Sequence, residues 1–331
     1  MRRRTAARGL LPALLLLALV GCDASQYVTL SPASDFAEKI LSLYANLWWW
    51  TLGIFLVVEA LLIFALLRFR RKADDTGVPD QVHGHSALEI SWTLLPAAIL
   101  FFIAIPTVRT IFDTQAAPAA EANALEVTVI GHQWWWEFEY PALGFSVANE
   151  LHLPRGRTVN LTLRSADVIH SFWIPRLGGK RDLNPGHENQ MAFTPNSVGI
   201  FDGQCAEFCG MSHANMRMRV VVDEPAVFAA WSAARQTPAP ADSAGLQTFL
   251  VSGCAACHAI AGTPAQGKVG PNLSGLGGRS TLAAGMLPNT PAHLAGWLRD
   301  PDSMKPGALM PDLNLNEARI DSLVTFLESL K

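Results

Sequence analysis

Two long apolar runs restrict what this chain can become more than any other feature. Asn46 to Leu67 is 22 residues with Glu59 as its only charge, and Leu88 to Val108 is a second such run. As a helix the first is about 33 Å long, enough to cross a hydrocarbon core. Composition agrees, since 50% of the 331 residues are hydrophobic and only 16% are charged, which suits two or three domains partly in lipid. The connector carries Arg68, Arg70, Arg71 and Lys72, whereas the mature segment before the first span has only Lys39. The positive-inside bias therefore puts the connector in the cytoplasm and both long flanks in the periplasm. Trp48, Trp49 and Trp50 fall at the outer end of the first span as interfacial anchors. Glu59 is costly within lipid and has either a functional role or a hydrogen-bonding one toward a neighbouring subunit.

Before the spans, Arg2-Arg3-Arg4, the apolar run Leu10 to Val20 and the small Gly21 make a secretory signal over residues 1–21. Leu19-Val20-Gly21-Cys22 resembles a bacterial lipobox, which implies a lipid-bearing Cys22 on the outer leaflet of the inner membrane, and Asp23 resembles the signal that retains such lipoproteins there. The net charge of −3 gives no reason to expect a nucleic-acid partner. Five cysteines, Cys22, Cys205, Cys209, Cys254 and Cys257, each sit in a distinct chemical context, leaving none for a structural disulfide framework.

The stretch Cys205 to Met216 packs two thiols, an imidazole and a thioether into twelve residues, a soft donor set suited to copper. Two thiolates four residues apart can bridge a pair of copper ions. His213 supplies one imidazole, and His170 in His170-Ser171-Phe172-Trp173-Ile174-Pro175 is the best offer for the second. A disulfide between Cys205 and Cys209 is the competing reading.

Cys205-x3-Cys209-x3-His213-x2-Met216 resembles the CuA loop of cytochrome c oxidase subunit II. That resemblance implies His170, Cys205, Cys209, His213 and Met216 as side-chain ligands of a binuclear copper centre and Glu207 as a carbonyl ligand. It also implies that the Glu207 carboxylate faces a magnesium ion shared with subunit I. Gly131-His132-Gln133-Trp134-Trp135-Trp136 resembles the family's aromatic patch, with Trp134 as the electron-accepting tryptophan beside the copper. Glu89-Ile90-Ser91-Trp92-Thr93-Leu94-Leu95-Pro96 resembles the pattern at the mouth of a proton-uptake path, and Pro175 to Asp182 the loop that faces subunit I. Glu89 taken alone reads as a snorkelling interfacial acid. His132 and His152 match no ligand motif and are expected to be structural.

An Ala/Pro linker at 116–123 precedes alternating strands at Leu125 to Ile130 and Val159 to Leu163, with a closing strand at Met218 to Val222 and a helix at Pro225 to Arg235. Residues 116–235 thus read as a cupredoxin-like β-sandwich, following an N-terminal segment and membrane hairpin at 22–115. A polar, proline-containing linker, 236–243, leads to a last domain at 244–331. Cys254-Ala255-Ala256-Cys257-His258 has the form that attaches c-type haem. Gly270-Pro271-Asn272-Leu273, a helix from Thr290 to Arg299 and a terminal helix with Ile320, Leu323, Val324 and Leu327 on one face resemble an all-α class I cytochrome c. Met286, Met304 and Met310 compete to be the sixth iron ligand. Lys305 to Pro311 resembles the stretch that carries this ligand in haem domains fused to oxidase subunits, which favours Met310.

The whole chain after the signal resembles subunit II of a bacterial cytochrome c oxidase with a fused cytochrome c domain. The resemblance implies electron flow from a cytochrome c or another periplasmic donor to haem c, then to CuA, then to the low-spin haem of subunit I, where dioxygen is reduced and protons are pumped. Subunit III is a further implied partner. A CuA-containing component of a nitric-oxide or nitrous-oxide reductase and a membrane-tethered copper carrier are the alternatives. The Glu89 to Thr93 pattern argues against the first and the haem motif against the second.

Overall fold

The computed structural model describes residues 27–71, 74, 77–78, 81–115, 123–238 and 244–331. The signal, Cys22 and most of both linkers lie outside the described residues. Two long helices, α1 (Asp35–Arg68) and α2 (Ser86–Gln115), carry the apolar runs, and both are long and apolar enough to cross a membrane. Helix α1 begins eleven residues before its apolar run because its start is capped: Ser34 Oγ accepts from Ala37 N at 3.1 Å, and Asp35 and Glu38 sit at the positive helix end. The same Ser34 hydroxyl donates to the Leu177 carbonyl, and Ala33 N donates to the Arg176 carbonyl at 2.7 Å. The hairpin is thereby fastened to the domain that follows.

That domain is a sandwich of two five-stranded sheets. One has the order β3 (Phe145–Ala148), β2 (Trp135–Tyr140), β1 (Leu125–His132), β5 (Val159–Ser165), β8 (Asn189–Phe193). The other runs β4 (Glu150–Pro154), β10 (Arg217–Asp223), β9 (Gly199–Cys205), β6 (His170–Trp173), β7 (Arg181–Leu183). Strict alternation along β2 puts Trp136, Phe138 and Tyr140 inside, and along β10 it puts Met218, Val220 and Val222 inside. These meet Phe172, Leu161, Leu163 and Phe201 in one continuous core. The pairs β1/β5 and β4/β10 are parallel and the rest antiparallel. Helix α3 (Pro225–Arg235) closes the domain, starting on a proline that needs no N–H donor there.

The last domain is small and helical: α4 (Ala244–Val251), α5 (Pro291–Arg299), the short α6 (Pro301–Met304) and α7 (Glu317–Ser329), with a two-stranded β11/β12 ribbon (Thr281–Leu282, Leu287–Pro288). Ile320, Leu323, Val324 and Leu327 of α7 are buried, as their spacing predicts, against Leu246, Phe249, Leu294 and Leu298.

Candidate metal and haem sites

Strand β6 begins at His170, β9 ends at Cys205, and the loop 206–216 joins β9 to β10, so every donor lies at one end of the sandwich. Main-chain bonds fix the loop at both ends: Ala206 N donates to Ser171 O, and Cys205 N to Met216 O, each at 2.9 Å. Cys205 Sγ and Cys209 Sγ are 3.8 Å apart. His170 Nδ1 lies 3.9 Å from Cys205 Sγ, while His213 Nδ1 and Met216 Sδ lie 3.6 and 3.8 Å from Cys209 Sγ. The Glu207 carbonyl is 3.3 Å from Cys205 Sγ, and its carboxylate is exposed. All six residues carried over from the copper loop border one space, and both cysteines are free, so the disulfide reading is not realised.

The electrostatics of the nest favour a cation. The hydrogen bond from Cys209 holds the Cys205 thiol down to about 3 against its burial, helped by His170. The same contact, with burial, drives Cys209 far up, because a second thiolate would sit 3.8 Å from the first. A metal removes that penalty by neutralising both sulfurs. Burial works to lower His170, but hydrogen bonds with Cys205 and Asp167 outweigh it and raise the imidazole. Asp167 Oδ1 is 2.7 Å from His170 Nε2, which leaves Nδ1 for the metal side, and its Oδ2 accepts from Gln133 N at 2.7 Å. Nothing in the local sequence marked this aspartate beyond its place three residues before His170. Gly131 has no freedom to be larger, since a Cβ there would come within 2.7 Å of His170 Cδ2. Sulfur, imidazole and thioether donors at these separations fit copper.

The second site opens inside the helical domain as a cavity of about 270 Å³. Cys254, Cys257 and His258 line it, with Met310, Leu294 and Leu298 among the other walls. His258 Nδ1 is 2.8 Å from the Pro271 carbonyl, so it carries the proton and Nε2 is left for the cavity. Burial lowers the imidazole, outweighing the Pro271 bond, and keeps it neutral, the form that binds iron. Gly270 admits the ring, because a Cβ would lie 2.6 Å from His258 Cε1. Met304 is not on the wall; it packs on α5, where a Cβ at Gly296 would meet its Sδ at 2.9 Å. Arg279 also lines the cavity, its guanidinium donating to the Asn272 and Ser274 carbonyls and pushed down to about 10 by burial. Two cysteines beside an imidazole, with apolar walls and a thioether, fit a covalently attached haem.

Trp134 belongs to both sites. Its Nε1 donates to the Cys209 carbonyl at 3.0 Å, and the residue also lines the haem-domain cavity together with Gln133 and Trp135. Gly210, at φ +116°, lets the indole approach the copper loop, since a Cβ there would lie 3.0 Å from Trp134 Cζ2. His132 and His152 are structural, stacked on Trp135 and Trp231 with ring centroids 4.1 Å apart. Glu89 closes the first turn of α2, its Oε1 accepting from His85 N at 3.1 Å. In the 175–182 loop, Arg181 binds Gln115 and Thr114 at the end of α2, and Arg176 donates to Ser31 O at 2.8 Å, so two of its charges serve the chain itself.

A two-helix anchor carrying a cupredoxin-like sandwich with a sulfur-rich nest, followed by a c-type cytochrome domain, defines a membrane-bound electron-transfer subunit. Residues 24–110 match the cytochrome c oxidase subunit II transmembrane domain, 142–224 its periplasmic domain, and 243–331 the cytochrome c family. Cytochrome c oxidase subunit 2 of Alkalihalophilus pseudofirmus is 37% identical over 344 aligned positions, spanning 99% of this chain and 98% of its own. That of Bacillus subtilis is 34% identical, spanning 97% of each chain. The solved periplasmic domain of cytochrome oxidase subunit II from Bradyrhizobium japonicum is 32% identical, covers 36% of this chain and 95% of its own, and has a TM-score of 0.34. The chain belongs to the cytochrome c oxidase subunit II family, in the form that carries a cytochrome c domain, and so to an oxidoreductase. The subunit II domain implies CuA copper, and the cytochrome c domain implies haem.

Proposed function

We propose that this chain takes electrons from a cytochrome c or another periplasmic donor at haem c and delivers them to CuA and on to the low-spin haem of subunit I. The reading rests on one observation above all: Trp134 forms part of the wall of the haem cavity while its indole N–H holds the carbonyl of a copper-loop cysteine. In this reading His170, Cys205, Cys209, His213 and Met216, with the Glu207 carbonyl, hold the copper. When bound, the copper pair supplies a one-electron store that changes shape little on oxidation. The protein's part is to fix the donors from a rigid sandwich and to orient His170 through Asp167. Cys254 and Cys257 attach the haem, and His258 and Met310 ligate its iron.

The exposed Glu207 carboxylate is available to a magnesium ion shared with subunit I. The sandwich and haem domain lie on the periplasmic side, a placement supported by Arg68, Arg70 and Arg71 at the connector. Glu89, at the cytoplasmic end of α2, would then stand at the mouth of a proton path. Subunit III and membrane lipid complete the surroundings.

Trp134→Phe keeps an aromatic ring but removes the N–H bonded to Cys209 O. Haem-to-copper transfer in the purified oxidase is expected to slow about tenfold, on the scale of a misaligned reacting pair, with the copper resonance signal retained. An unchanged rate would remove Trp134 from the route.

A further inference from the structure

The two redox domains meet through contacts that a flexible tether would not need. Glu150, at the start of β4, is only 5% exposed, and the hydrogen bonds to its carboxylate all come from the haem domain, while Arg235 of its own domain and Arg279 lie within electrostatic reach. Its Oε1 accepts from Ser280 N at 2.9 Å, Ser280 Oγ at 2.6 Å, Thr281 N at 2.8 Å and Thr281 Oγ1 at 2.9 Å. Nearby, Arg217 N donates to the Ala284 carbonyl at 3.1 Å, continuing the interface along β10. Elsewhere in the interface Lys305, 4% exposed, donates its Nζ to the Trp134 carbonyl at 2.5 Å.

Buried polar groups are tolerated only where hydrogen bonds replace water. Each of these two is hydrogen-bonded by the other domain. A slipped or rotated haem domain would strand the Glu150 carboxylate on one side and the Lys305 amine on the other, so the pair selects one docked geometry. That geometry is the one in which Trp134 closes the haem cavity.

We propose that Glu150 and Lys305 are positioning residues that hold the haem domain in a fixed electron-transfer dock on the copper domain, making transfer between them independent of domain diffusion. This rests on the haem-to-copper route proposed above. Lys305 also lines the haem cavity, but both residues act here through the placement of Trp134 and the haem domain.

The test uses the intact oxidase complex and two readouts. The first is amide hydrogen exchange at Ser280 and Thr281, whose N–H groups bond Glu150. The second is the flash-initiated rate of haem c oxidation by the copper, measured in buffers of rising viscosity. In the wild type the amides are expected to be protected and the rate insensitive to viscosity. Glu150→Ala is expected to expose both amides, slow transfer about tenfold as the docked population falls, and make the rate viscosity-dependent. Lys305→Met is expected to slow transfer and bring the same viscosity dependence. Should Glu150→Ala fail to assemble, the double change Ser280→Ala and Thr281→Val removes the hydroxyl donors from the other face and carries the same expectation. Unchanged exchange and an unchanged, viscosity-independent rate in either set overturns the dock. Protected amides in a wild type whose haem never reduces the copper would uphold the dock and overturn the route instead.

Discussion

Cys209→Ser is expected to abolish the mixed-valence copper resonance signal while leaving the haem c absorbance intact. Cys209 Sγ is the hub of the nest, with Cys205 Sγ, His213 Nδ1 and Met216 Sδ all within 3.8 Å of it. A serine hydroxyl is a harder donor and does not ionise readily here, so one thiolate is left to serve two ions. The haem motif lies in a separate core and does not depend on that sulfur. The copper domain should also melt earlier, since a tightly held metal adds on the order of 4 kcal/mol to the apparent stability of the fold that binds it. Electron paramagnetic resonance and metal analysis of the purified complex check this. A retained signal with two equivalent coppers would rule out the bridging role.

Met310→Ala is expected to remove the weak sulfur-to-iron band of oxidised haem c, lower its potential and slow delivery to the copper. Met304→Ala should leave all three nearly unchanged. The physical basis is placement: Met310 lines the same cavity as Cys254, Cys257 and His258, whereas Met304 is spent on packing against Gly296 of α5. A thioether stabilises ferrous iron, so its loss lowers the potential. Pro306 and Pro311 bracket the Met310 segment and limit its backbone freedom. Optical titration of the two variants separates them, and the reverse pattern would transfer the ligand role to Met304.

Much of the architecture is legible in the chain before any coordinates. The sandwich shows in the alternation of Leu125 to Ile130 and Val159 to Leu163, which become the paired strands β1 and β5, and in the closing strand β10. The terminal helix shows through Ile320, Leu323, Val324 and Leu327, and the copper loop through its compact sulfur spacing. Helix α1 extends beyond its apolar run, since Ser34 and two acids start it eleven residues earlier. The contacts of Glu150 and Lys305 are invisible in sequence because each is an ordinary polar residue whose role exists only once segments 131 and 171 positions apart are brought together. Asp167 lies only three residues from the His170 it orients, and its second bond reaches Gln133, 34 positions away.

Serial delivery from haem c to the copper centre is the step on which the proposed function depends. Flash reduction of haem c in the anaerobic, fully oxidised complex tests it directly, with the haem c, copper and subunit I haem absorbances followed together. The account predicts that the copper is reduced with the same rate constant as haem c is reoxidised, and that the subunit I haem follows only afterwards. Reduction of the subunit I haem with no intervening reduction of the copper would contradict it.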